Sequence, residues 1–407
     1  MLERSYNVRR QMSTGTPFHE RTQPLNRKLA WGEWAGYLAA AGYADFHDIE
    51  YNAVRQAAAV FDVSPLYKYI VSGPDALRLA DRVITRDATR LQPAQVMYTP
   101  WCDERGKMID DGTIARLDDD SLRWTAADPQ YRWLQMNTAG LEVQIDDVTD
   151  RVGALAVQGP RSRAVLEGAT GADLSGLAYF RRQAATIAGV GVDISRTGYT
   201  GDLGYEVWIP AESANQVWDA LFAAGEAHGI RPAGIRALDV SRVEAGLILL
   251  EVEYTSVMHA MTAEHEYSPY ELGLGRLVNL GAGDFVGRRA LAAEQAAGGP
   301  RRRLVGIEID WLGIEAEFAR HGLPPAVDAT VDRNPIPLFH RRVQVGRATS
   351  TCWSPTCKKM IALASVEHSH ERPGTPLGIE WTVEGERGRV RAMVVPLPFL
   401  DLGRKRS

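Results

Sequence analysis

"SRTGYTGDLGYEVWIP", residues 195–210, decides how the rest of the chain is read. Gly198, Gly201 and Gly204 recur every three residues, although a glycine inside a regular element costs roughly 0.5–1 kcal/mol relative to alanine. The spacing predicts something lying against this backbone. Tyr199, Tyr205 and Glu206 stand among the glycines. A carboxylate accepts two parallel hydrogen bonds from a flat N–H/NH2 edge, such as that of guanine or a pterin, and a tyrosine supplies a wall for the ring. A glycine-rich hairpin with an exposed glutamate is the plainer reading of the same residues.

At 407 residues the chain exceeds what one core usually supports, so two or three packed units are expected. A composition of 45% hydrophobic and 24% charged residues is that of an ordinary globular protein. The net charge of -5 offers no general attraction to nucleic acid or to an anionic membrane surface. Cys102, Cys352 and Cys357 are too few for a disulfide framework and lack zinc-site spacing. No apolar run reaches the roughly 18 residues of a membrane span. The expectation is a cytoplasmic protein whose polar leader, residues 1–29, is partly extended.

Along the chain the grammar is α+β. Trp31, Trp34 and Tyr37 are spaced as one stripe of a helix. "YKYIVSGPDALRLADRV" and "GALAVQGPRSRAVLEGATG" each read as strand, Gly-Pro turn and helix, the first helix opened by Asp75. Residues 96–126 alternate strands and polar turns as a meander does, and "ANQVWDALFAAGEAHGI" is an amphipathic helix ended by glycine. A helix over 287–297 stops at Gly-Gly-Pro, beyond which short strands predict an all-β barrel or sandwich. No glycine pattern forms a nucleotide-phosphate loop.

Within the meander, Asp110 and Asp111 lie in tandem in an apolar strand. Adjacent strand residues point to opposite faces, so only one can look into a given cavity. A carboxyl facing a partly dry cleft has a raised pKa and can exchange a proton near neutral pH. The plainer reading is an acidic hairpin turn. Arg236, Asp239, Arg242 and Glu244 on one helix read as a salt-bridged face. His259 and His265, six apart, do not have the spacing of a helical metal pair, and no metal is expected.

Taken in order, "MYTPWCDERGKMIDD", "LAVQGPRS", "SRTGYTGDLGYEV", "ALDVSRVEAG", "SPYELGLGRLV" and "TSTCWSPTCKKMIALASV" resemble the aminomethyltransferase (glycine cleavage T-protein) family and its folate-dependent demethylase relatives. The resemblance spans roughly residues 45 to 400. It implies a three-domain ring holding tetrahydrofolate in a central channel. The implied units are 1–62 with 151–240 and 63–150 with 241–300, two discontinuous folate-binding domains, and a barrel at 301–407. It implies that Asp110 attends N5 of the folate, that Glu206 pairs with the pterin edge and that Tyr199 lines the pocket.

The same resemblance has departures. Pro65 stands where T-proteins carry histidine, Thr125 where they place asparagine and Leu238 where they often have arginine, leaving Arg242 as the expected folate contact. "LILLEVEYTSVMHA" replaces Leu-Tyr-Gly. These changes point to the demethylase-like branch, which moves one carbon from a methoxy, methylamino, methylthio or methylenedioxy donor to tetrahydrofolate. Tyr254 and His259 are then candidates for contacting donor or leaving group. Thr125, Trp353 and Lys358 are candidates on the folate side. No flavin-binding segment precedes the matching region, so the oxidative flavoenzymes of this fold are not expected. The alternatives are a true aminomethyltransferase served by a lipoyl carrier protein and a non-catalytic folate-binding regulator; a homo-oligomer is compatible with any of them.

Overall fold

The computed structural model describes residues 13–406. Part of the leader expected to be extended, residues 1–12, lies outside them. In the described part of the leader Thr14 forms a parallel bridge with Tyr37, and further on a helical turn at His19–Thr22 runs into a 3-10 turn at Gln23–Leu25 with proline at its start.

Three β-structures organise the chain. A six-stranded sheet orders Arg182–Ile187, Val190–Ser195, Gly204–Pro210, Val152–Gln158, Ala58–Asp62 and Ile230–Pro232. Its last pair is parallel and the others antiparallel. Alternation sends Tyr205, Val207 and Ile209 into a core covered by the helices Ser162–Thr170 and Ala214–Gly225. A five-stranded antiparallel sheet orders Val96–Cys102, Met108–Arg116, Ser121–Ala126, Tyr67–Ser72 and Gln144–Asp147, with the helix Ala76–Val83 on its apolar face. The meander read from residues 96–126 is therefore present as three consecutive strands.

Beyond the helix Arg288–Ala296, six strands close into a barrel. Closure is made by Arg302–Ile309, which pairs with both Lys359–Glu367 and Glu386–Val395 and so leaves no open edge. The C-terminal part is not purely β: Trp311–Ala319 is a helix capped by the Asp310 carboxylate and packed on the barrel.

The aromatic stripe at residues 31–37 is a correction. Trp31–Trp34 and Tyr37–Ala40 form a two-stranded hairpin, not a helix. Ala35 and Gly36 take φ of 50° and 85°, the two left-handed residues of a tight hairpin turn. Three-residue spacing cannot separate this from a helix over so few residues, and the turn conformation decides.

Candidate active site

The two sheets meet through Arg123 on Ser121–Ala126. Its guanidinium pairs with Asp193 at 2.7 Å and lies 4.0 Å over the Trp208 ring, both on the six-stranded sheet. Register puts Arg123 opposite Ala115 and Thr125 opposite Thr113, so Arg123, Thr125, Thr113 and Asp111 share one face. On the facing sheet Glu206 lies opposite Ser195 and two residues from Trp208. Glu206 and its donor Thr197 (2.6 Å) thus stand beside the Arg123 contact. Burial raises the Glu206 carboxyl, opposed by the Thr197 hydrogen bond and the Arg123 charge.

Asp110 and Asp111 point to opposite faces, and the one on the Arg123 face is Asp111. Asp110 is fully buried on the side of Trp101 and Trp124. Its carboxylate accepts from the backbone N–H groups of Asp111, Ala127 and Asp128 at 2.7, 3.1 and 3.0 Å, and from the Gln130 amide at 3.4 Å. The expectation that Asp110 attends a ligand atom is therefore corrected: its position beneath the sheet leaves it no open side. A register shift between Trp101 and Cys102 adds one residue to the opposing strand just before Asp110, which sets the phase of the pair.

Asp111 is partly exposed. It accepts hydrogen bonds from Tyr98 at 2.7 Å and from Tyr254 at 2.5 Å. Burial pushes both carboxyls up; the charge of Asp111 pushes Asp110 further, while the two tyrosine donors oppose the rise at Asp111. Tyr254 arrives from the segment "LILLEVEYTSVMHA", residues 247–260. Glu251, at φ 62°, closes a turn through its N–H onto the Tyr254 carbonyl, and the Val257 N–H bonds the Met108 carbonyl, docking the segment on the strand that carries Asp111.

The glycines of residues 195–210 have a different tenant from the one expected. A Cβ at Gly198 or Gly204 would stand 2.1 or 2.2 Å from the Gln158 amide oxygen. The buried Gln158 amide donates to the Thr197 and Tyr205 carbonyls and accepts from Thr200. Gly201 takes φ 73°, with Ala245 against it. These glycines admit a side chain of the chain itself, so the approach of a ligand ring is not what requires them. Tyr199 in the same loop is partly exposed and donates to the Ile248 carbonyl.

The remaining candidates separate. Thr125 shares the Asp111 face; its hydroxyl donates to the Thr113 carbonyl and pairs with the Thr113 hydroxyl at 2.6 Å. His259 is half exposed, 3.3 Å from Asp128 and 3.2 Å from Glu251. Arg242 is a correction. It is fully buried, and four of its five N–H donors go to Asp239, Glu253, Ser350 and the Leu247 carbonyl. It joins the helix Ile235–Glu244 to the barrel strand Val343–Ser354. Trp353 packs edge-on against Trp311 at the barrel core, and Lys358 sits exposed at φ 55° in the following turn. Neither shares the Asp111 face. Tyr98 is a residue that pattern reading passes over, and between Asp110 and Asp111 that reading does not choose. The alternation at 110–111 is the available signal, but it does not say which face is open.

Among the described residues no group of three or more His, Cys, Asp or Glu could hold a metal, and no helix is long and apolar enough to cross a membrane.

A mixed α/β chain with a closed C-terminal barrel, and a carboxylate, Asp111, held by two tyrosines on the sheet face that meets the second sheet through Arg123, define the class. Residues 19–282 match the GCVT N-terminal domain and residues 302–401 the glycine cleavage T-protein C-terminal barrel domain. The chain belongs to the glycine cleavage T-protein family, a family of folate-dependent transferases. It is 35% identical to the trimethylamine-oxide aldolase of Ruegeria pomeroyi over 96% of its own length, and spans 47% of that protein. It is 35% identical to the aminomethyltransferase of Moorella thermoacetica, covering 90% of this chain and 93% of that one. Identity to the aminomethyltransferase of Symbiobacterium thermophilum is 36%, over 94% and 96%. The glycine cleavage system aminomethyltransferase T from Bartonella henselae shares the fold, with a TM-score of 0.80 and 24% identity over 96% of this chain and 98% of that one.

Proposed function

We propose that this protein transfers a methyl or methylene group from a small methylated donor to N5 of tetrahydrofolate. The observation that carries the reading is the pair of hydrogen bonds from Tyr98 and Tyr254 to Asp111, on the face that also leads to Glu206. In this reading the units 1–62 with 151–240 and 63–150 with 241–300 enclose the folate, and 301–407 closes one side.

The residues present fit a reduced pterin. Glu206 is a partly exposed carboxylate with a single hydroxyl donor, suited to a flat N–H/NH2 edge, and Tyr199 supplies a wall. Tetrahydrofolate, when bound, supplies a nucleophilic nitrogen that accepts the carbon. Asp111 receives the proton displaced from that nitrogen, and burial raises its proton affinity toward the range useful for this work. Tyr98 and Tyr254 hold the carboxylate in one orientation. Asp110, bound by three backbone N–H groups, fixes the strand beneath it. His259 stands at the rim through Asp128, whose own N–H is one of those three.

The test is incubation of the protein and tetrahydrofolate with methoxy-aromatic, methylamine and sulfonium compounds, reading the folate product by mass spectrometry. Folate-dependent loss of one carbon from a donor, abolished in Asp111→Asn, is the expected result. No product with any donor would end the proposal.

The second reading is an aminomethyltransferase acting on a lipoyl carrier. It is favoured by the nearly complete coverage of the aminomethyltransferases, against 47% of the aldolase. Exchange of an aminomethyl group with a lipoylated carrier protein would establish it. The position of Tyr254 on Asp111, from a segment that differs from T-proteins, favours the first.

A further inference from the structure

Glu206 stands at the end of a directed hydrogen-bond chain. The Trp208 indole N–H can only donate, and it gives its hydrogen to the Ser195 hydroxyl at 3.2 Å. Thr197 gives its own to Glu206 at 2.6 Å, so the 2.9 Å contact between Ser195 and Thr197 is a donation from Ser195. Three donors in series point toward one carboxylate. Hydrogen bonds of one sense polarise each other, and the last of them favours the charged form of its acceptor.

A row of charges ends beside the same chain. Asp193 accepts from Arg182 at 2.7 Å and from Arg123 at 2.7 Å, so two guanidiniums share one carboxylate and one positive charge is left over. The other bond of Arg182 goes to the Leu117 carbonyl, which is neutral. Among the described residues no second carboxylate pairs directly with Arg123. Arg123 exposes only 7% of its side chain, and a charge so placed is weakly screened. It lies 4.0 Å over the Trp208 ring, at the head of the chain, and its charge opposes the rise that burial imposes on Glu206. The Tyr179 phenol also feels Glu206, but burial raises it to about 12 and it keeps its proton. Lys405 lies 5.6 Å over the Tyr179 ring, and Arg196 turns to the Leu177 and Lys405 carbonyls.

We infer that Arg123, carried by the five-stranded sheet, is a positioning residue for the ligand-facing carboxylate of the other sheet: its surplus charge and the donor chain that starts beneath it hold Glu206 ionised and aimed as an acceptor. The inference rests on the proposed binding of tetrahydrofolate and adds the residue that readies its acceptor. An ionised carboxylate only accepts, as an edge of N–H groups requires, whereas a protonated one turns a donor toward them. Affinity is therefore lost as pH falls through the Glu206 pKa, and removing Arg123 moves that loss to higher pH.

The test is a calorimetric titration of tetrahydrofolate into the unmodified protein, Arg123→Met, Arg123→Lys and Asp193→Asn between about pH 8 and about pH 6. Over that range affinity should fall about three- to ten-fold in Arg123→Met, and less than about two-fold in the unmodified protein and Arg123→Lys. Asp193→Asn separates charge from scaffolding. It breaks the same ion pair but leaves Arg123 its charge, so its affinity should stay as level with pH as that of the unmodified protein. Should Arg123→Met not fold, Arg123→Gln, which keeps a donor for Asp193, takes its place. Equal pH slopes with and without the Arg123 charge would overturn this inference alone. So would a slope in Asp193→Asn as steep as in Arg123→Met, the outcome of a merely structural tie between the sheets. No binding of tetrahydrofolate to the unmodified protein would overturn the transfer reading with it.

Discussion

Tyr254 donates its hydroxyl hydrogen to Asp111 at 2.5 Å, joining positions 143 apart in the chain. The bond favours the ionised carboxylate, whereas burial favours the neutral acid. In Tyr254→Phe the opposing contribution is gone and the carboxyl moves further up. A base works in its ionised form, so the acid limb of kcat/KM should move to higher pH, with a fall of about ten-fold at neutral pH. Asp111→Asn should lose that limb and about 10²–10⁴ in rate. The pH–rate profiles of both variants check this; a downward displacement in Tyr254→Phe would remove Asp111 from the role.

Glu206 is partly exposed, with one hydroxyl donor and no direct ion pair among the described residues. Glu206→Gln removes the charge that a flat N–H edge would meet, and a charged hydrogen bond is worth about 1.5–3 kcal/mol. Tetrahydrofolate affinity should fall about ten-fold or more, while the melting temperature stays level or rises because a desolvated charge has been removed. Titration calorimetry beside thermal melts distinguishes this from a general loss of structure.

Burial pulls the Lys68 ammonium down to about 8 from its ordinary 10.5. Between those values the unfolded chain holds a proton that the folded chain has released, so the Lys68 contribution to stability rises with pH. Below about 8 both states are protonated and the penalty is constant. Relative to Lys68→Met, the protein should gain roughly 3 kcal/mol between pH 8 and 10.5. Urea denaturation of both proteins at the two ends of the window measures it, and a difference that shrinks with pH would contradict the sign.

Arg242 holds Asp239 and Glu253, each at 2.7 Å, in the interior. Removing one partner of a buried pair leaves an uncompensated charge, at about 3–5 kcal/mol. Arg242→Met should therefore lower the melting temperature sharply, and adding Glu253→Gln should recover part of the loss. A variant of unchanged stability that has lost only folate binding would restore Arg242 to the ligand.

Gly198→Ala places a methyl group against the Gln158 amide, which is held by two carbonyls and Thr200. The substitution should destabilise, and Gln158→Ala in the same chain should make it less costly, with a coupling of about 0.5–3 kcal/mol. Denaturation of the two single variants and the double variant closes the cycle; simple additivity would mean that Gln158 is not what the glycine accommodates.

Much of the framework is legible in the chain because its signals are local. The meander at 96–126 announces itself by alternation and polar turns, and the barrel by short strands after a Gly-Gly-Pro stop. The ordered blocks from Met97 to the Trp353 region carry the family. The hairpin at 31–40 is not legible, since an aromatic repeat of three over seven residues fits a helix as well, and only the left-handed pair Ala35–Gly36 separates them.

The site divides along the same line. By itself the sequence determined that Asp110 and Asp111 face opposite ways, because strand geometry alternates whatever the fold. Only the tertiary structure decided that Asp111 lies on the face turned to the second sheet, because that depends on which side of the sheet the Trp101–Trp124 core covers and where the other sheet arrives through Arg123. In the same way glycine at 198 and 204 states that space is needed, while the identity of the occupant, Gln158, comes from a neighbouring strand. A requirement for space is written locally; what fills it depends on packing between segments distant in the chain.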